Sequence, residues 1–258
     1  MAPSRIARLH FCARAVLSLL ALGTVFAWVP TGSGVHHRCR NGKTPILGMS
    51  AGKNDGDASP SSKVRFLGKG ERAIVRPGVV LLAPTNEYHH YYRQAAIFVH
   101  AMGEDDDDVY VIRGVILDQP TPFTLGEMME HNPALQKTPL KDNLLFRGGD
   151  KGGDQVVLLH NHEEIGQSSI GVSGVFQGGF DQAMAACEKG HRQTSDFKLF
   201  FNYCEFTELE MEDLLASDED GDAWISVEVD SDFVLNDGWE RGDAWSRLRN
   251  AVQQQLKL

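Results

Sequence analysis

The stretch Phe197-Lys-Leu-Phe-Phe-Asn-Tyr-Cys-Glu-Phe-Thr-Glu-Leu-Glu-Met211 decides the fold. In its first half, apolar side chains occupy every second position with Lys198 and Asn202 on the opposite side, a pattern that predicts a β-strand. Thr207 then stands three residues before Glu210, with an apolar residue on each side of the pair. That spacing is a capping box with a hydrophobic staple, so a helix is expected to begin there.

Similar apolar segments and helix-start signals occur on both sides of this strand and helix in the sequence. A second capping box, Thr124 with Glu127, predicts a helix that ends near His131, and the staple is formed by Phe123 and Met128. Because strands and helices alternate irregularly, we predict a single α+β domain over residues 63–258 with a mixed, largely antiparallel sheet and a few packed helices. The other expected strands are 78–83, 94–100, 109–117, 144–146, 156–160, 170–176 and 224–229, and the other expected helices are 180–189 and one through Trp245, Leu248 and Val252.

Charge is divided unevenly along the 258 residues, which carry −10 overall. Seven of the 25 basic residues and none of the 35 acidic residues precede Asp55, so the remainder of the chain carries −17. A domain this acidic repels a phosphate backbone, and direct binding to nucleic acid is therefore not expected.

The basic front end predicts a targeting segment. Arg5 and Arg8 precede the uncharged apolar run 15–29, which is shorter than the roughly 20 residues that span a bilayer. We interpret residues 1–25 as a signal peptide, with a buried N-terminal helix as the alternative. Residues 26–62 are basic and then rich in Gly, Ser, Asp and Pro, which is typical of a transit peptide and flexible linker. No membrane span is expected in the mature protein.

A signal peptide followed by a transit peptide resembles the bipartite plastid presequences of algae with secondary plastids. Val25-Phe-Ala-Trp-Val-Pro30 resembles their junction, with cleavage expected before Phe26. The resemblance implies import into the chloroplast stroma, and plain secretion, which needs only the first segment, stays open. Cys187 and Cys204 are the cysteines beyond the presequence, and this count is compatible with a reducing stroma. Without a C-x-x-C pair the sequence carries no zinc-knuckle or thioredoxin-type signal.

Motifs between Gly78 and Val252 resemble, in order, those of the AlgH/YqgE-like family, a domain of unknown function found in bacteria and in plant and algal plastids. They are Gly78-Val-Val-Leu-Leu-Ala-Pro84, Ile97-Phe-Val-His100, Gly114-Val-Ile-Leu-Asp-Gln-Pro120, Phe146-Arg-Gly-Gly149, Leu158-Leu-His160, Gly174-Val-Phe-Gln-Gly-Gly179 and Phe200-Phe-Asn-Tyr-Cys-Glu-Phe206 with the helix and Gly221-Asp-Ala-Trp224 that follow. The resemblance implies no established reaction or cofactor, although bacterial members have been named as transcriptional regulators.

Several polar positions depart from the family pattern while the apolar positions are kept. Asp118-Gln119 stands where the family has asparagine-arginine, and Asp150-Lys151 where it has proline-valine. Asn202, Glu205 and Phe206 stand where it has glycine, glycine and tryptophan. We therefore expect the fold to persist and any site that used these positions to differ.

His160-Asn-His-Glu-Glu164 is the densest run of ligand-type side chains. In an extended segment His160 and His162 point the same way, so together with Glu163 they could hold a divalent metal. The run lacks HExxH spacing, and a strand end that enters a polar loop explains the same residues. We predict no metal and no other cofactor, and if a metal is present, His160, His162 and Glu163 are its candidate ligands.

Four other segments have a chemical and a plain interpretation. Asp218–Asp222 resembles part of a calcium loop, but its glycine is misplaced and a strand follows, so we expect an acidic turn. Gly148–Asp154 could form an anion-binding nest but opens no helix, so we expect a flexible strand connection. Cys204 could be a nucleophile, but its place at the end of an alternating strand predicts a buried, inert thiol. His89–Tyr92 is expected to be a surface loop.

The sequence favours a non-enzymatic binding or regulatory protein of the plastid, whose partner is an unknown protein or small ligand. A metal-assisted hydrolase that uses His160, His162 and Glu163 is the alternative, so enzyme activity stays open. We predict no catalytic residue, and neither the partner nor the oligomeric state follows from the sequence.

Overall fold

The computed structural model describes residues 63–132, 135–166, 168–219 and 221–257. The predicted signal peptide (1–25) and the predicted transit peptide and linker (26–62) lie outside the described residues. Within the described ranges, no helix has both the length and the apolar character needed to span a lipid bilayer.

The described residues form an α+β domain, as predicted. Its strands are β1 Arg65–Lys69, β2 Val80–Leu82, β3 Ala96–Glu104, β4 Tyr110–Ile116, β5 Pro120–Thr124, β6 Leu144–Arg147, β7 Lys151–His160, β8 Ser168–Ser169, β9 Phe176–Gln177, β10 Lys198–Thr207, β11 Asp218–Glu219, β12 Asp222–Ala223 and β13 Ile225–Glu228. Its α-helices are α1 Leu125–Met128, α2 Phe180–Glu188, α3 Glu208–Ala216, α4 Ser231–Leu235 and α5 Asp243–Leu256.

One mixed, mostly antiparallel sheet contains eleven of these strands. Its main path is β1-β13-β2-β3-β4-β10-β7-β9-β8, with β6 paired to both β10 and β5, while β11 and β12 form a separate hairpin. The predicted strands that are observed therefore share one sheet, as the fold prediction requires.

Strand β10 joins the two halves of this sheet. Residues 204–207 pair antiparallel with β4. Residues 199–201 pair in parallel with β6 at one edge and antiparallel with β7 at the other. The register shifts between Phe201 and Tyr203, where Asn202 has the left-handed φ of 63°. This bulge lets one strand serve three partners.

Both faces of the sheet are covered, so consecutive strand residues, whose side chains point to opposite faces, are both buried. Val80 and Phe98 pack on one face in a cluster completed by α4 and α5. Leu81 and Ile97, their immediate neighbours, belong to a second cluster with α3. A third cluster joins Leu199 to residues of α1 and α2. Near-continuous apolar runs in β2 and β3 follow from this arrangement.

Both predicted capping boxes are present. The Thr124 and Thr207 hydroxyls accept hydrogen bonds from the backbone N–H groups of Glu127 and Glu210, and those glutamates accept in return. Each box satisfies backbone donors that the first helical turn leaves free.

The apolar pairs that flank the two capping boxes differ in their exposure to solvent. Phe206 and Met211, beside the second box, are 5% and 3% exposed within the α3 cluster. Phe123 and Met128, beside the first box, are 48% and 37% exposed. The same local sequence signal therefore builds core at α3 and leaves an apolar surface at α1.

Several predicted elements differ from the observed ones. The expected strand 170–176 is largely a turn between β8 and β9, where Gly171 and Gly174 have φ of 58° and 71°. The connection expected at 148–154 is shorter, because Lys151 already begins β7. Helix α1 ends at Met128 rather than near His131, and β5 and α4 were not expected. These elements are short, so tertiary contacts rather than local periodicity define them.

Candidate functional site

His160 and His162 lie side by side at the end of β7, as the extended pattern predicted. Their rings stack with centroids 6.0 Å apart. His160 Nε2 lies 3.2 Å from the Gly178 carbonyl oxygen, and His160 Nδ1 accepts from the His162 backbone N–H at 3.1 Å. Both nitrogens of this buried ring are thus engaged, and Glu163 is exposed. Among the described residues, no group of three or more His, Cys, Asp or Glu is placed to hold a metal ion.

The surroundings of the two histidines are mainly apolar. The Phe197 ring makes edge contacts with both imidazoles, at 5.7 and 5.8 Å. Burial lowers the pKa of His160, which favours its neutral form. His162 Nε2 lies 3.6 Å from a carboxylate oxygen of Asp196. The geometry is that of two packed histidines at a strand end, in which the His160 ring is hydrogen-bonded through both nitrogens and Nε2 of His162 is buried without a hydrogen-bond partner among the described residues.

Cys204 is buried, as predicted. Its side chain is fully enclosed, and Sγ donates to the Gly148 carbonyl oxygen at 3.3 Å. Burial, reinforced by the charge of Asp150, raises the pKa of the thiol. Since the thiolate is the reactive species, a protonated and enclosed thiol is a poor nucleophile.

In the acidic segment, strand β11 (Asp218–Glu219) pairs antiparallel with β12 (Asp222–Ala223), in line with the expected acidic turn. The Asp222 carboxylate accepts from the backbone N–H and hydroxyl of Thr85 and also pairs with Arg249. Asp222 therefore ties the hairpin to two other segments of the fold.

Two buried charges that the sequence interpretation missed dock the C-terminal helices on the sheet. Lys198 was predicted on a polar strand face, but it is 3% exposed because the sheet is covered on both faces. Its Nζ donates to the carbonyl oxygens of Leu117 at 2.9 Å and of Val234 and Asn236, at the end of α4, at 3.3 and 2.7 Å. Burial lowers its pKa to about 7.

Asp118 performs the matching role at the start of α5. Its Oδ2 accepts from the backbone N–H groups of Ala244 and Trp245 at 3.0 and 3.3 Å. Burial raises the pKa of this carboxyl to about 6, although those amide bonds and the charge of Lys198 oppose the rise. A carboxylate at a helix N-terminus and an ammonium at a helix C-terminus each complement the helix dipole. These groups explain helix packing rather than chemistry on a ligand.

A groove of about 420 Å³ lies beside β5, and we call it the β5–β10 groove. Its apolar lining consists of Pro120, Pro122, Phe123, Met128, Leu145 and Phe201. Its polar lining consists of Gln119, Thr121, Asn202, Arg147 and Arg241. The volume lies within the range of about 300–1,000 Å³ that is usual for ligand sites.

An aromatic loop adjoins this groove. Tyr91 is held by two groove residues, since its hydroxyl accepts from Arg147 Nη2 at 3.1 Å and its carbonyl oxygen accepts from Gln119 Nε2 at 3.2 Å. The Arg147 guanidinium also lies 4.6 Å from the centre of the Tyr91 ring. The centroids of the His90 and Tyr91 rings lie 3.9 Å apart, and Tyr88 is 82% exposed. The surface loop predicted at 89–92 therefore contacts the groove residues Gln119 and Arg147 through Tyr91.

The comparisons with known proteins assign the chain to a family. A family model described as AlgH-like matches residues 80–257, which is more than half of the chain. The chain belongs to the AlgH-like family. The family resemblance predicted from the sequence motifs is therefore confirmed, and no curated protein sequence matches this AlgH-like chain.

Two solved structures resemble this AlgH-like domain. Protein DIP2367 from Corynebacterium diphtheriae is 16% identical, with a TM-score of 0.49, and the match covers 69% of this chain and 87% of that one. The AlgH protein from Pseudomonas aeruginosa is 15% identical, also with a TM-score of 0.49, and the match covers 78% of this chain and 92% of that one.

Two of the positions that depart from the AlgH-like pattern lie at the β5–β10 groove, whereas Asp118 is buried at the start of α5 and Phe206 in the α3 cluster. Gln119 and Asn202, which both depart from that pattern, line it directly. Glu205 forms an ion pair with Arg113, whose guanidinium lies 5.4 Å from the centre of the Tyr203 ring on the same strand. Residues far apart in sequence thus meet at one surface, which sequence analysis alone did not bring together.

Proposed function

We propose that this AlgH-like protein is a non-enzymatic binding or regulatory module of the chloroplast stroma, and that it binds its partner through the β5–β10 groove. The observation that carries the proposal is the exposure of Phe123 and Met128 in a groove bordered by Arg147 and Arg241. Exposed apolar surface with a polar rim is typical of interaction sites.

The environments of the reactive groups support binding over chemistry. The Cys204 thiol is enclosed and protonated, and both ring nitrogens of His160 are engaged with backbone groups. The buried Lys198 ammonium is occupied by three carbonyl oxygens. Phe123 and Met128 in the groove lining are, by contrast, exposed and available for contact with a partner.

Affinity capture from plastid extract tests the proposal. We expect the full chain to retain a partner that the double variant Phe123→Ser/Met128→Ser releases. Leu209→Ser is the matched control, because Leu209 is 72% exposed but lies on α3 outside the groove. Equal capture by all three proteins would exclude the groove as the binding surface.

The plastid location is tested separately. A fluorescent reporter fused behind residues 1–62 should accumulate in the plastid of an alga with a secondary plastid. Changing Phe26→Ala in that fusion should divert the reporter, since the phenylalanine at the junction is the feature on which the interpretation depends. Export of the unchanged fusion to the medium would refute the location.

The competing hydrolase is tested by metal analysis. We expect the purified chain to bind no stoichiometric Zn²⁺ or Mn²⁺, and His160→Ala to leave its metal content unchanged. Stoichiometric metal that is lost on His160→Ala would instead favour a metal-assisted hydrolase at His160, His162 and Glu163.

A further inference from the structure

The β5–β10 groove has a charge opposite to that of the domain that contains it. Its lining includes Arg147 and Arg241 and, among the described residues, no Asp or Glu. From residue 54 onward the chain carries 18 basic and 35 acidic residues. Two exposed arginines without an acidic neighbour in the lining are therefore a local exception, and such an exception indicates a negatively charged occupant.

We propose that the groove recognises an acidic peptide segment of a partner protein, with an apolar side chain on the groove floor and flanking carboxylates on Arg147 and Arg241. This inference rests on the proposed function and names its ligand chemistry. Guanidinium groups bind carboxylates in bidentate geometry, and an apolar residue of the peptide would cover Phe123 and Met128.

The groove floor carries apolar surface that folding leaves uncovered. The two capping boxes provide an internal comparison, because the pair Phe206 and Met211 is buried while the pair Phe123 and Met128 is not. Covering such side chains stabilises a complex by about 25 cal/mol for each Å² of apolar surface buried.

Arg147 is positioned before any partner arrives. Its bond to the Tyr91 hydroxyl and its contact with the Tyr91 ring restrict the guanidinium. A guanidinium has five N–H donors, so this bond leaves donors for carboxylate oxygens. A side chain that is already ordered loses less conformational entropy on binding.

The shape of the surface favours a peptide over a compact anion. Tyr91, which contacts Gln119 and Arg147 of the groove, belongs to an exposed loop in which the His90 ring packs on Tyr91 and Tyr88 is 82% exposed. An extended occupant can contact both the groove and this loop. Tyrosine and arginine are also the residue types that dominate the energy of protein–protein contacts.

A library of random twelve-residue peptides displayed on phage tests the proposal on the full chain. We expect enriched peptides to carry two or more Asp or Glu residues around an aromatic or aliphatic residue. The double variant Arg147→Glu/Arg241→Glu should weaken these peptides at least tenfold and should itself select peptides rich in Lys or Arg. Arg72→Glu, an exposed arginine outside the groove, is the matched control and should leave binding unchanged.

The other outcomes overturn the proposal in distinguishable ways. One such outcome is that the enriched peptides lack acidic residues, lose binding on Phe123→Ser and keep binding to the double arginine variant. This result would refute the acidic occupant and leave the groove as a binding site. If the peptides bind equally to both variants, or if no peptide is enriched, the groove does not recognise a peptide. The capture experiment would then decide the proposed function independently. Binding of a 20-nucleotide single-stranded RNA that displaces the peptides would also overturn it.

Discussion

At the scale of single residues, Lys198 shows how a buried charge can be structural. Its ammonium donates hydrogen bonds to three carbonyl oxygens and lies 4.2 Å from the centre of the Phe146 ring. Lys198→Met removes these donors and leaves Asp118 without an opposite charge, so we expect a loss of roughly 2–4 kcal/mol in the free energy of unfolding. Urea denaturation measures it, with the exposed Lys189→Met as control, expected to change by less than about 0.5 kcal/mol. Equal effects of the two changes would contradict the assignment.

His100 makes stability depend on pH. Its Nδ1 lies 2.8 Å from Gln177 Oε1, and burial, together with the charge of Arg113, lowers its pKa to about 4. Since the unfolded chain takes up a proton near pH 6.5 and the folded chain does not, stability is lost as pH falls from 6.5 towards 4.

The variant His100→Asn keeps a donor for Gln177 but does not titrate. Between pH 7 and pH 5, the native chain should lose roughly 2 kcal/mol more unfolding free energy than this variant does. The contribution of His160, whose pKa is also lowered, is common to both proteins and cancels. Parallel pH profiles for the two proteins would show that folding leaves the pKa of His100 unchanged.

At the scale of elements, the close approach of the β6–β7 connection to β10 requires glycine. A Cβ on Gly149 would lie 2.2 Å from the Tyr203 carbonyl carbon and 2.3 Å from the Cys204 backbone nitrogen. Both are backbone atoms, so Gly149→Ala must separate the strands, and we expect a loss of at least about 3 kcal/mol or failure to fold.

Gly103→Ala is the matched control for this change. Nothing lies within 4 Å of a Cβ added at Gly103, and its φ is not in the left-handed region. Thermal unfolding should therefore shift strongly for Gly149→Ala and little for Gly103→Ala. Similar midpoints for the two variants would show that the approach is not tight in solution.

The elements also show what the sequence could and could not predict. Long apolar runs and the second capping box gave β2, β4 and α3 close to their observed bounds, since their signals are local, whereas β3 and β10 extend beyond their predicted ends to Glu104 and Thr207. Lys198 was misplaced, because alternation indicates two strand faces but not that helices cover both. The groove was missed because its lining comes from segments as distant as Gln119 and Arg241, and only the folded chain brings these together.

At the scale of the whole molecule, the shared sheet should make unfolding one cooperative event. Trp224 is buried in the α3 cluster on one face, whereas Trp239 and Trp245 are buried with α5 on the other. Strand β10 connects both halves, so neither face has a sheet of its own.

Tryptophan fluorescence can follow each face separately. One variant carries Trp28→Phe and Trp224→Phe, and the other carries Trp28→Phe, Trp239→Phe and Trp245→Phe. In each variant, the fluorescence transition in urea should coincide with its own far-UV circular dichroism transition. A fluorescence midpoint that departs from the dichroism midpoint in either protein would mean that the two faces unfold separately.

The position of β10 and β13 in the chain has a consequence for biogenesis. Strands β1 and β2 both pair with β13, and β4, β6 and β7 all pair with β10, yet β10 and β13 are made from the last quarter of the polypeptide. Until that quarter has left the ribosome, the earlier strands have apolar sides and open edges without partners. Pairings between such distant segments form slowly. Chaperones that shield exposed chain would therefore be needed until synthesis of this protein is complete.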